Sequence, residues 1–172
     1  MNFIDTHTHL FLNQFKDDID DVIDIAIRSG ITKMFLPNIN SETTDSMLQL
    51  CEKYPGNCFA MMGLHPCDVK KETMEKELLH VEEMLEKEKF IAVGEIGLDL
   101  YWDKTTLEIQ KMAFEFQIKL AKKHKLPIVI HVRDSFLEAI EIVEKLNDKN
   151  LSGVFHCFTG NVDDSKRITD LG

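Results

Sequence analysis

The stretch PIVIHVRD, Pro127 to Asp134, decides how the rest of the chain is read. Up to Val132 it is apolar at almost every position, with His131 and Arg133 as the polar exceptions. Side chains of a strand alternate between faces. Ile128, Ile130 and Val132 therefore share one face, and Val129, His131 and Arg133 share the other. A short run that is apolar on both parities suits a strand buried on both sides, as in a parallel sheet wrapped by helices.

Similar runs recur in both directions along the chain, at 2–5 (NFID), 32–37 (TKMFLP), 58–63 (CFAMMG), 90–95 (FIAVGE) and 152–158 (SGVFHCF). Amphipathic stretches separate them. Ile19, Val22, Ile23, Ala26 and Ile27 follow helical spacing up to the stop signal of Gly30. Met74, Leu78, Val81 and Leu85 make a second stripe, and Ile109, Met112, Ala113, Phe116 and Leu120 a third that ends before Pro127. Phe136, Ala139, Ile140 and Val143 make a fourth. Strand and helix alternate without a Ser/Gly linker or a repeat, which predicts one α/β domain over residues 1–172. The runs amount to about six strand–helix units, whereas a closed (β/α)8 barrel takes about 250 residues. The sequence thus predicts either an open doubly wound sheet or the front part of a TIM-type barrel lacking its last two β/α units. In the second case the open strand edges predict self-association.

The totals narrow the function. A length of 172 residues with 44% apolar and 29% charged residues fits an ordinary globular protein. A net charge of −10 argues against a broad basic surface that grips nucleic acid alone, but bound cations can supply positive charge to a phosphate substrate. No run of about 18 apolar residues predicts a membrane span, and no charged leader precedes a continuous apolar stretch. Cys51, Cys58, Cys67 and Cys157 lack metal-knuckle or disulfide spacing, so a cytoplasmic setting is expected.

The unexpected polar residues share a location. His7 and His9 follow the first run, His65 the third, Glu95 ends the fourth, His131 the fifth, and His156 lies near the end of the sixth. Barrels of this class place active sites at the C-terminal ends of their strands. Parity lets His7, His9, Glu95, His131 and His156 converge. Imidazoles and carboxylates are the usual ligands of a hydrolytic divalent ion. Four histidines and a glutamate exceed one open site and suit two ions sharing a carboxylate, an arrangement that serves phosphoryl transfer. Glu95, between the two histidine groups in strand order, takes the bridging place.

Together IDTHTHL (4–10), GLHP (63–66), VGEIGLDLYW (93–102), PIVIHVRD (127–134) and VFHCFTG (154–160) resemble the TatD family of metal-dependent deoxyribonucleases, which are amidohydrolase-like (β/α)8 barrels. Gln110, Phe114, Gln117, Leu120 and Ala121 fit the same pattern, and the likeness runs in order over essentially the whole chain. The resemblance implies cleavage of DNA with two divalent ions (Zn, Mg or Mn). It implies one ion on His7, His9 and Glu95, and a second on Glu95, His131 and His156, with Glu95 central to catalysis. His65 and Arg133 are the expected substrate-binding residues. Asp5 is expected to orient a histidine from behind, and Asp99 to bound the pocket or cap a loop; an ion pair with Asp99 is the structural alternative for Arg133. Two departures stand out: Cys67 occupies a place where histidine is common in the family, and the aspartate expected after an eighth strand lies outside this chain. The alternatives are a hydrolase of the same fold acting on a small ester, lactone or amide, and a catalytically weakened metal-binding fragment. Many relatives of that first kind bridge their metals with a modified lysine on strand four, where this chain has Glu95.

Overall fold

The computed structural model describes residues 2–171. Six strands alternate with six helices: β1 (Phe3–Asp5), α1 (Ile19–Arg28), β2 (Ile31–Pro37), α2 (Ser41–Lys53), β3 (Cys58–Met61) and α3 (Met74–Lys87) make the first half. The second half is β4 (Val93–Asp99), α4 (Leu107–His124), β5 (Ile128–Arg133), α5 (Phe136–Leu146), β6 (Gly153–Phe155) and α6 (Val162–Thr169). Neighbouring strands are parallel, with β1–β2–β3 in one sheet and β4–β5–β6 in another. A bridge between Met62 and Val93 joins the two sheets.

Strand order therefore follows chain order. A doubly wound sheet reverses its order at a switch point, and this wall does not. Successive helices pack on one another, α2 on α3, α3 on α4 and α4 on α5. Of the two architectures left open by the sequence, this is an incomplete barrel wall. Its main core lies between strands and helices, where Ile23, Met34, Leu36, Phe114, Ile118 and Ile128 are almost wholly buried. Burying a side chain of this size contributes about 1.5–3 kcal/mol. Met61, Ala92 and Val129 form a smaller separate cluster with Phe35 and Ile91.

The helices obey their local signals. Asp20 and Asp21 in the first turn of α1 and Arg28 in its last complement the helix dipole, and Gly30 follows with a positive φ of 94°. The helix α2 carries no simple apolar stripe, because its buried face includes Thr44 beside Met47 and Leu50. Its start is a reciprocal cap: Glu42 N–H donates to Asn40 Oδ1 (3.0 Å) and Asn40 N–H to Thr43 Oγ1 (3.3 Å).

Two of the strand boundaries that differ from the sequence expectation bear on the site. The fourth strand runs over Val93–Asp99 rather than 90–95, so Glu95 is an interior position and Asp99 the terminal one. Its pairing with β5 shifts register between Val93 and Ile96. The sixth strand stops at Phe155, which puts His156 just beyond it. The outer strands are short: Phe3 and Ile4 on β1 are each 51% exposed, and Val154 on β6 is 57% exposed. Among the described residues no helix is long and apolar enough to cross a membrane.

Candidate metal centre

Glu95 is buried, at 2% exposure, in the middle of β4. Its backbone is fixed from beneath by Asn38, a wholly buried residue directly after β2. Glu95 N–H donates to Asn38 O (3.3 Å), and Asn38 N–H is within reach of both Met61 O (3.1 Å) and Gly94 O (3.2 Å). The Asn38 amide donates to Asn40 O (3.0 Å) and Gly63 O (3.2 Å), tying three strand ends together under the carboxylate.

Four imidazoles surround that carboxylate. His7 Nε2 lies 3.0 Å, His9 Nε2 3.6 Å and His65 Nε2 3.8 Å from Glu95 Oε2, while His131 Nδ1 lies 3.0 Å from Glu95 Oε1. The two oxygens of one side chain thus face different histidine groups. His131 bonds on its other side to Asp99 Oδ2 (2.8 Å), so its ring sits between two carboxylates. His156 lies flat on His7, with ring centroids 3.4 Å apart and planes at 11°.

Two three-donor sets bring their ligand atoms within 4.8 Å of one another, His7–His9–Glu95 and His65–Glu95–His131. His156 belongs to neither set and reaches the cluster through its stack on His7. Buried Nδ1 atoms of His7 and His9 have no hydrogen-bond partner among the described residues. This concentration of imidazole nitrogens about one anion, with ring nitrogens still unpaired, fits a divalent metal cation.

Electrostatics follow from the same contacts. Burial alone would raise the Glu95 pKa, but the hydrogen bonds from His131, His7 and His9 outweigh it and hold it well below the usual carboxylate range. For His131 burial opposes the charged ring, yet Glu95 and Asp99 together raise its pKa above 6.5. His65 goes the other way: burial pushes it down to about 4, only partly countered by Glu95. His156 is also lowered, by burial and then by His7. The Cys67 residue is exposed, but its thiol sits against Asp99 and is pushed up to about 12, burial and Asp99 both favouring the protonated form.

Other expected residues fall as follows. Asp5 accepts from the backbone N–H of His7 (3.1 Å), so it shapes the loop rather than bonding to an imidazole. Arg133 does not pair with Asp99, whose carboxylate is taken by His131; its guanidinium lies 3.5 Å over the ring centre of Tyr101. Asp99 is a candidate site residue that the sequence marks only weakly. Its spacing of four from Glu95 along one strand is the signal, visible once β4 is known to run through to residue 99. Asn38 carried no signal at all.

Comparison with known proteins adds the family. A sequence profile described as TatD related DNase matches residues 4–172. The chain belongs to this family. Among its relatives, the uncharacterized metal-dependent hydrolase YabD of Bacillus subtilis is 35% identical over 159 residues, covering 92% of this chain and 62% of its own length. The 3'-5' ssDNA/RNA exonuclease TatD of Citrobacter koseri is 30% identical over 168 residues, covering 98% and 64%. The crystal structure of YjjV, a TatD homolog from Escherichia coli, superposes with a TM-score of 0.91 at 32% identity, over 99% of this chain and 65% of that one. The chain thus spans less than two thirds of the length of these relatives.

Proposed function

We propose that the protein is a divalent-metal-dependent phosphodiesterase that cleaves DNA with water at a two-ion centre. The observation that carries this reading is Glu95: one buried carboxylate whose Oε2 faces His7 and His9 while Oε1 faces His131. A bridging ligand needs this division of its two oxygens. Relatives described as metal-dependent hydrolases and as a 3'-5' ssDNA/RNA exonuclease support the substrate class.

In this reading His7, His9 and Glu95 hold one ion, and Glu95, His131 and His156 the other. Hydrogen-bond chemistry assigns His65 a different part. Cys67 N–H donates to His65 Nδ1 (3.1 Å), so in the neutral ring the proton sits on Nε2. With its pKa near 4 the ring is neutral at physiological pH. His65 therefore offers an N–H donor toward the cluster, suited to a phosphate oxygen, and no free lone pair for a cation. Asp99 fixes the orientation of the His131 ring and increases its basicity as a ligand. When bound, the ions activate water and neutralise charge developing on the phosphoryl oxygens. The free cysteines fit a reducing, cytoplasmic setting.

Metal titration and a substrate panel test this reading. Metal-loaded protein should cleave single-stranded oligonucleotides in preference to lactones and N-acyl compounds, and chelation should abolish cleavage. His156→Ala should lose about one equivalent of metal, whereas His65→Gln should keep its metal and raise KM. Oligonucleotide cleavage that persists in the rigorously metal-free protein refutes the proposal.

A further inference from the structure

Past the metal centre, the end of β4 carries an exposed aromatic–cation cluster that neither the fold nor the metal chemistry requires. Trp102 is 74% exposed and Tyr101 50% exposed. Their rings meet edge to face, with centroids 4.8 Å apart and planes at 90°. Arg133 lies over Tyr101 at 3.5 Å and stands 5.9 Å from Trp102. A guanidinium stacks through its face and donates through its edge. Stacked in this way, Arg133 keeps its in-plane N–H groups available while one face of the indole stays open.

The backbone beneath this cluster is anchored close to the candidate metal centre. One oxygen of Asp99 accepts from Tyr101 N–H (3.0 Å) and the other bonds His131 Nε2 (2.8 Å), so a single carboxylate separates the stack from a candidate ligand. Leu100 N–H donates to Arg133 O (2.9 Å). Buried Gln110 clamps Asp99 from behind, accepting from its N–H (2.8 Å) and donating to its carbonyl (2.9 Å). Trp102 also borders a cleft of about 240 Å³ that Cys67, Lys70 and Asp99 help to line. Large aromatics left open to water on an anchored loop, beside a cation and a phosphodiester site, match the means by which unpaired bases are held.

We infer that Tyr101, Trp102 and Arg133 form a stacking platform for an unpaired nucleobase of the substrate strand, with Arg133 contacting the adjoining phosphate. The inference rests on the phosphodiesterase reading for its substrate class. It adds the residues that hold the strand: these side chains grip an unpaired base as well as a phosphate.

Trp102 is the chain's only tryptophan, so intrinsic fluorescence reports on the platform directly. The probe is a short single-stranded oligonucleotide with phosphorothioate linkages that resist cleavage, added to the metal-loaded protein. Its counterpart is an abasic strand with the same number of linkages. The base-bearing strand should quench Trp102 and bind about tenfold more tightly than the abasic one. Followed by anisotropy of labelled strands, Trp102→Ala should weaken binding of the base-bearing strand roughly tenfold and leave the abasic strand unchanged, while Trp102→Phe retains most of the affinity. Equal affinity for the two strands, no measurable binding of either, or an unaffected Trp102→Ala variant overturns the inference. Cleavage of ordinary phosphodiester versions of both strands separates it from the underlying reading. Protein that cleaves both but binds them equally has no platform, and protein that prefers bases but cleaves neither is not a phosphodiesterase.

Discussion

Replacing Glu95 by glutamine keeps the volume of the side chain and removes its charge. In the native arrangement the carboxylate accepts from His7 and His131 at 3.0 Å each, with His9 and His65 at 3.6 and 3.8 Å. The amide has one acceptor oxygen, so one short bond survives in neutral form and the other is lost or reverses, with the amide N–H donating to a neutral imidazole. A hydrogen bond to a charged group contributes about 1.5–3 kcal/mol. Against that loss stands the relief of no longer burying a charge, which costs several kcal/mol before its partners repay it. The metal-free variant should therefore lose no more than about 2 kcal/mol, a fall in Tm of at most about 8 °C. Metal binding responds differently, because Glu95 is common to both donor sets. Loss of an outer partner alone costs about 10–100-fold in affinity, and loss of a shared ligand should cost each ion at least roughly 100-fold. Calorimetric titration with Zn²⁺ or Mn²⁺, beside thermal melts of the metal-free proteins, reads both quantities. A Glu95→Gln protein that binds two ions with unaltered affinity refutes the bridging role.

Gln110→Leu should orphan the buried N–H and carbonyl of Asp99, destabilising the protein by roughly 2–5 kcal/mol; an unchanged melt contradicts this. Gly97 has φ 140°, and an added Cβ would run into the His131 carbonyl, so Gly97→Ala should cost about 3 kcal/mol or more and weaken metal binding with it. A native Tm and full metal affinity in that variant would show the contact to be tolerant. Stability of the metal-free protein should peak near pH 6.5, as read by urea unfolding across pH. His65 and His156 are held below 6.5, so acid protonates the unfolded chain first and stability falls as pH drops, by on the order of 3 kcal/mol for His65 once pH is below about 4. His131 is held above 6.5, so its contribution is complete below that value and fades as pH rises through its raised pKa. A stability that climbs steadily from pH 6.5 to 8 runs against these assignments.

Much of this was legible in residue order because the information is local and periodic. The two-sided apolar run at 127–132 announces a parallel strand, and Ile19, Val22, Ile23, Ala26 and Ile27 announce α1. Period-two parity brought His131 toward Glu95. What escaped depends on contacts made across the wall. The helix α2 hides its inner face behind Thr44, whose hydroxyl bonds to His80 Nε2 (2.9 Å). The true end of β4 depends on a register shift against β5 that no run of β4 residues displays. Asn38 looks like a turn residue until the strands it joins are in place. Arg133 has the parity of His131, yet its long side chain leaves the metal pocket for an aromatic face that only the Leu100–Trp102 loop could supply.

The stack of His156 on His7 has a mechanical side. These rings come from the segments beyond β6 and β1, and each of those strands is only three residues long. An ion pair coordinated from both sides would cross-link points on the order of 150 residues apart. A bond closing a loop of that size restrains the unfolded chain by roughly 5 kcal/mol. The metal centre would then serve as a clasp as well as a reactor. Stripping it would remove that restraint, and amide exchange would accelerate at β1 and β6 before β4 and β5 respond.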